Sequence, residues 1–493
     1  MRDVKNYVNG EFKGSVSASG KEVINPATEE VIAKTPFSTT EEVNEVIQKA
    51  KVAFQSWSKT PVVDRIQPLF KLKTLLEEHS EKISIIITEE HGKTLVESRG
   101  DLRRAIQMVE MAISAPVMLQ GKSSKDVAKR IDSFSYRRPM GVFAGINPFN
   151  FPAMVPFWFW PFAVASGNCF VVKPSERVPL TQQYIFELID QCDFPPGVIS
   201  MIHGGADVVN QLIDHPDIEG LSFVGSTPVA QHIYEQGHMK HKRVQALGGA
   251  KNFLVLMDDA PIEKSVRTMV DSCYGCAGER CLAGSVLVAV GDRAYQSLRE
   301  KVVTAAKEVI VGDGLDPKVT MGPVISLEAR ERINQDIETA ISEGAELIYD
   351  GRTKIEKGYF QGPVVLDNVL PNTMMATKEI FGPVIGLMKV GNIQEAIDLV
   401  NSSEYANTCS IFTSSGLAAR EFSHEVHPSM VGVNLGVPAP MSFFSFGGSK
   451  KSFFGDIKAH GHSGFQFFTE ELTVMERWFE GNSSEDINPH WKK

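Results

Sequence analysis

An α/β fold of two or three domains is what this 493-residue chain predicts, and three observations carry that reading. The length exceeds what one hydrophobic core ordinarily supports. From residue 141 onward, short apolar runs are each followed by a turn and then a helical pattern. A second series of the same kind begins near residue 253. Strands alternating with helices at this spacing imply βαβ units, and so a parallel sheet covered on both faces.

The elements follow in order. Thr39 and Glu42 stand at capping-box spacing, and behind them Val43, Val46, Ile47, Ala50 and Phe54 recur at helical intervals. An amphipathic helix is expected there, with more helix over 60–91 and a stop at Gly92. VFAGI (142–146), CFVV (169–172), VISMI (198–202) and LSFVG (221–225) read as buried strands, and PLTQQYIFELIDQ (179–191) as an intervening helix. MVPFWFWPFAVA (154–165) is the most apolar stretch. It is too short and too interrupted by proline to span a bilayer, so a buried helix is expected. FLVLM (253–257) and SVLVAV (285–290) open the second series, which runs to about residue 432. LTVMERWFE (472–480) partly alternates and leads into a polar, frayed tail.

Hydrophobic residues make up 43% and charged residues 22%, as in soluble globular proteins. Sixty acidic against 50 basic residues give a formal charge of −10, with no basic run, which argues against nucleic-acid binding. The opening MRDVKNYVNGEF lacks the apolar core of a secretory signal. Six cysteines form no disulfide framework, and a reducing cytoplasm is the expected location.

In open parallel sheets, ligands bind beyond the carboxyl ends of the strands. The turns there read NPFNFP, KPSER, HGGAD and GSTPVA, none of them GxGxxG or a Walker loop. Chemistry is more legible in YGCAGERCLAG (274–284). Cys273, Cys276 and Cys281 form C-x2-C-x4-C, but structural metal sites usually need a fourth ligand, and the next cysteine is Cys409. No metal is expected; Cys273 and Cys276 read as small buried hydrophobes. Cys281 differs, with Gly278 allowing close backbone approach and Arg280 adjacent. A neighbouring cation favours a thiolate, which makes Cys281 a nucleophile candidate.

GERCLAG, together with PFNFP (148–152), KPSE (173–176), FVGST (223–227), LGGAK (247–251) and EIFGPV (379–384), resembles the aldehyde dehydrogenase superfamily. NLGVPAPMSFFSFGGSKKSFFGD (434–456) is similar to one branch, the CoA-acylating methylmalonate- or malonate-semialdehyde dehydrogenases. The resemblance runs from about Val8 to about Arg477. It implies a Rossmann-like NAD domain (1–120 and 144–248), an α/β catalytic domain (249–435), and a small β oligomerisation element (121–143 and 462–493). It also implies NAD as cofactor, CoA as cosubstrate, and a homotetramer acting in valine or inositol catabolism.

The same resemblance assigns roles. Cys281 is the nucleophile, and Asn150 with the Cys281 amide stabilises the oxyanion. Lys173 and Glu176 hold the adenosine ribose, with Arg177 along the same end. Asn147 and Phe149 line the cofactor cleft, Ser226 and Gly248 lie against the dinucleotide, and Glu379 takes the nicotinamide ribose beside Phe381. Arg104 and Arg280 bind the carboxylate of the semialdehyde, whereas Arg103 faces solvent.

Three departures matter. Ala230 replaces a glycine in the phosphate turn, and Phe253 stands where the branch commonly has histidine. Ala246 occupies the place where hydrolytic members carry a water-activating glutamate. Alanine cannot accept a proton, so the thioester is expected to wait for CoA. Two rivals remain: a semialdehyde dehydrogenase that hydrolyses its thioester, and a non-catalytic protein that keeps the fold.

Overall fold

The computed structural model describes residues 2–352, 355 and 357–478. Thr39 caps the helix Thr40–Trp57 in a reciprocal capping box with Glu42, as the spacing predicts. Gly92 ends the helix Ser80–His91 in the left-handed conformation that glycine adopts without steric cost.

Five parallel strands form the heart of an eight-stranded sheet. In spatial order they are Arg243–Leu247, Ile218–Val224, Val142–Ile146, Cys169–Lys173 and Ile199–Met201. The chain therefore runs outward from Val142–Ile146 in one direction, then returns to continue on its other side. That reversal opens a crevice beyond the carboxyl ends of Val142–Ile146 and Ile218–Val224, the usual ligand position in such sheets. The turns at this crevice are the ones that begin at Asn147 and at Gly225. Antiparallel edges, Asn6–Val8 with Glu11–Lys13 on one side and Phe453–Phe454 on the other, complete the sheet. Sequence periodicity had not revealed these short edges.

A seven-stranded sheet holds Phe253–Leu256 and Val286–Val290 next to each other, in register and parallel. Each large sheet has its own apolar core. Cys273 and Tyr274 lie in the second core, while Cys281 packs against the first. The nucleophile candidate therefore sits at the seam between the two.

The apolar stretch 154–165 is two short helices, Met154–Phe157 and Trp160–Ala165, rather than one. Proline lacks an N–H and is best tolerated in a first turn, and Pro161 opens the second helix there. No helix among the described residues is long and apolar enough to cross a membrane. Thr469–Arg477 pairs with Ile131–Pro139, which also pairs with Ser123–Ala128, in a separate three-stranded sheet. Residues 479–493, the polar tail, lie outside the described residues.

Candidate active site

The helix Ile262–Tyr274 ends in a tight turn whose residues Cys276, Ala277 and Gly278 have φ of 50°, 53° and 75°. A β-carbon on Gly278 would come within 2.2 Å of the Gly382 carbonyl oxygen, so only glycine fits. This turn delivers Cys281 to a cavity of about 460 Å³ bordered by Arg104, Phe151, Trp158, Arg280 and His460. Asn252 and Asn407 fix the loop by donating side-chain N–H bonds to the Cys281 carbonyl, at 2.9 and 3.0 Å.

Asn150 donates one side-chain N–H to the Glu279 carbonyl at 2.9 Å, two residues from Cys281. An amide NH₂ carries two donors, so one remains for a ligand beside the cysteine. The backbone of Asn150 is held in turn: Lys93 Nζ donates to its carbonyl at 2.5 Å and pairs with Asp101 at 3.1 Å. Asp101 also accepts the Met154 N–H at 2.7 Å, which orders the start of the next helix. Both members of the ion pair are buried, so each satisfies a charge that would be costly alone.

One sequence expectation is corrected. Arg280 does not leave Cys281 as a ready thiolate; burial pushes the thiol up to about 12, and the Glu379 carboxylate acts in the same direction. The backbone amides of Cys281 and Leu282 and the Arg280 charge pull the other way and lose. Arg280 is committed elsewhere, donating to Glu97 at 3.0 Å and to Cys276 Sγ at 3.2 Å. Only the thiolate is alkylated readily. Iodoacetamide should therefore label Cys281 in the cofactor-free protein about tenfold faster per pH unit between about pH 7 and 9. Mass-spectrometric rates that level off near neutral pH would contradict a thiol held so high.

The two arginines differ. Arg104, half-buried, donates to Gln107 Oε1 and to the carbonyls of Ala439 and Pro440 at 3.1–3.4 Å. No carboxylate pairs with it among the described residues. Arg103 is turned to solvent, 3.9 Å from Glu77 and from Glu110. Arg104 is thus the cation whose charge is left for a ligand in the cavity.

The crevice beyond the first sheet gathers the other expected residues. Lys173 ends its strand buried, with Nζ 3.3 Å from Glu176 Oε2, and Arg177 follows at partial exposure. Asn147 keeps a buried Oδ1 without a partner among the described residues. Ser226 heads the helix Thr227–Met239 but caps nothing with its hydroxyl, so first-turn amides stay open. Ala230 is fully buried there. A β-carbon on Gly248 would meet the Lys451 carbonyl at 2.7 Å. Phe149 meets Phe381 edge to face at 6.0 Å, and Phe381 has a left-handed φ of 54°. Burial pushes Glu379 up to about 7, against the Ala250 amide and Lys251. An unpaired buried acceptor, open helix amides, and an ammonium–carboxylate couple suit a phosphorylated dinucleotide with a vicinal diol.

The sequence profile of the aldehyde dehydrogenase family matches residues 13–474. This chain belongs to that family. It is 44% identical over 477 residues to the malonate-semialdehyde dehydrogenase of Halalkalibacterium halodurans, covering 96% of this chain and 98% of that one. Among solved structures it is similar to the methylmalonate-semialdehyde dehydrogenase of Oceanimonas doudoroffii, with TM-score 0.96, 40% identity and coverage of 98% and 99%. A Sinorhizobium meliloti 1021 protein complexed with NAD gives TM-score 0.96 at 36% identity, with coverage of 98% and 99%.

For an aldehyde dehydrogenase, the departures can now be located. Ala246 is fully buried in the strand Arg243–Leu247, paired with Phe223 and Phe454. Phe253 is buried at the start of its strand, paired with Val286 and Cys409. Sequence reading missed Lys93, Glu97, Asp101 and His460. Asp101 did leave a signal, because it falls in helical register with Ala105 and Met108 on an apolar stripe. Glu97 left one too, as the capping-box partner of Thr94.

Proposed function

We propose that this aldehyde dehydrogenase oxidises methylmalonate and malonate semialdehydes with NAD and releases propanoyl-CoA and acetyl-CoA. The observation that carries the reading is the shared cavity of Cys281 and Arg104, a thiol and a guanidinium that no carboxylate among the described residues neutralises. A guanidinium suits a carboxylate better than any other side chain does.

Cys281, once deprotonated, attacks the aldehyde carbon and forms a C–S bond. The spare N–H of Asn150 and the Cys281 amide receive the oxyanion, a type of contact worth roughly 3–4 kcal/mol. NAD, when bound, accepts the hydride; Lys173, Glu176, Arg177, Asn147, Phe149, Ser226, Gly248, Glu379 and Phe381 would hold it. The acyl-Cys281 thioester then makes the β-carboxylate labile. The C–C bond breaks, CO₂ leaves, and the electron pair is delocalised as a thioester enolate that takes a proton at carbon. The CoA thiol attacks the thioester and frees Cys281. Water is a poor competitor because Ala246 offers no base.

In this reading, residues 1–120 and 144–248 form the NAD-binding domain and 249–435 the catalytic domain. Residues 121–141 and the segment from 462 on form the oligomerisation element of a homotetramer, Val142 and Phe143 belonging instead to the strand Val142–Ile146 of the first sheet. The three-stranded sheet that leaves Tyr136 and Met475 exposed supports the last assignment. Six free thiols fit a cytoplasmic location.

The test compares malonate semialdehyde with propanal, which lacks the carboxylate. Arg104→Leu should lower kcat/KM for the semialdehyde by tenfold to a hundredfold, the loss of one charge-assisted contact of about 1.5–3 kcal/mol. Propanal should change little. Arg280→Leu should instead slow both substrates to a similar extent, because the tie to Glu97 and Cys276 goes with it. Equal losses on both substrates with Arg104→Leu would remove the basis for carboxylate recognition.

A further inference from the structure

His460 borders the Cys281 cavity with both ring nitrogens buried and without a hydrogen-bond partner among the described residues. Unpaired buried polar atoms are rare in native proteins and call for an explanation. The ring is held firmly, 4.9 Å from the Trp158 ring and 5.2 Å from that of Phe446. Its backbone is fixed as well. Phe446 and Ala459 exchange both N–H bonds at 2.8 and 3.0 Å, and Gly461 donates to the Ser442 carbonyl at 2.9 Å. His460 itself has φ 69° and ψ 169°, a backbone region that residues with a β-carbon seldom occupy, so the surrounding contacts hold it there. Trp158, on the same cavity wall, also has an unpartnered buried N–H.

We propose that His460 is a specificity-determining residue whose ring N–H binds the carboxylate of the semialdehyde together with Arg104. This rests on the carboxylate reading of the cavity given above. The charge state fits: burial first, and then the Arg104 charge, hold the imidazole neutral, down to about 3. A neutral imidazole carries one N–H donor, and Arg104 supplies the compensating charge. A carboxylate has lone pairs for both, so binding satisfies a donor that the described protein groups leave unmet. Because Trp158 and Phe446 already hold the ring, little side-chain freedom remains to be lost on binding.

The experiment measures kcat/KM for malonate semialdehyde and for propanal in wild type, His460→Phe and His460→Asn. Malonate serves as a stable competitive inhibitor against propanal. Phenylalanine keeps the aromatic packing but has no N–H, and asparagine keeps a polar amide but is too short to reach the ligand. Both variants are expected to lose about tenfold on the semialdehyde, mainly through KM, and to bind malonate about tenfold more weakly. Propanal turnover should stay within about twofold, which reports an intact fold and nucleophile. If Arg104→Leu abolishes the preference for the semialdehyde but both His460 variants retain it, His460 is not a contact. Equal loss on both substrates would assign His460 to packing and overturn the inference. A wild type that shows no preference for the semialdehyde would refute the carboxylate reading itself, and the His460 contact with it.

Discussion

Cys281→Ala is expected to lower NADH formation by about 10⁴- to 10⁶-fold, the scale seen when an enzyme loses its nucleophile. NAD should still bind, because the residues proposed to hold it belong to other segments, around Lys173, Ser226 and Glu379. Isothermal titration with NAD and a stopped assay with propanal measure the two halves separately. Cys276→Ala is the matched control. Cys276 is fully buried and accepts a hydrogen bond from Arg280, so its loss should weaken positioning rather than abolish reaction. Substantial turnover by Cys281→Ala, or an inactive Cys276→Ala beside it, would show that the nucleophile has been misassigned.

The second large effect concerns release. Cofactor-saturated enzyme given semialdehyde without CoA should form about one NADH per competent site and then slow by about 10²- to 10⁴-fold, the usual worth of base catalysis. CoA should restore steady turnover, with acyl-CoA as product. Position 246 carries a buried methyl group with no proton acceptor. Two carboxyls, Glu279 and Glu379, are the other acids to weigh. Glu279 accepts the Ile325 amide at 3.2 Å and lies 3.9 Å from His91, while Glu379 accepts the Ala250 amide. Burial raises Glu279 to about 8, so at neutral pH it is mostly protonated and a poor base. Free acid formed at full rate without CoA would mean that one of these groups activates water after all, and the acylating assignment would fall.

Much of this protein is written in local pattern. The capping box at Thr39, the buried strands from Val142 and Phe253, and the stop at Gly92 follow from spacing and residue type, and the structure has them. The motif GERCLAG singled out Cys281, and Ala246 declared itself by the absence of a carboxylate. These features are local, so a linear reading reaches them. Short edge strands such as Phe453–Phe454 escaped, because two residues carry no period.

Only the tertiary structure decided what each charge near Cys281 does. Adjacency in sequence made Arg280 look like a cation free for the thiol or the substrate. Folding brings Glu97, 183 positions earlier, within 3.0 Å of it and neutralises that charge. Among the described residues, the same folding leaves Arg104 without a carboxylate, sets Cys281 partly buried at the seam of two cores, and places His460 against the cavity with no hydrogen-bond partner. Electrostatic and desolvation energies depend on distance and burial, neither of which a residue's position in the chain reveals. The sequence by itself determined the family and singled out Cys281 and Ala246, because those are identities. Which arginine is paired with a carboxylate and which is not is a matter of environment, and the fold alone supplies that.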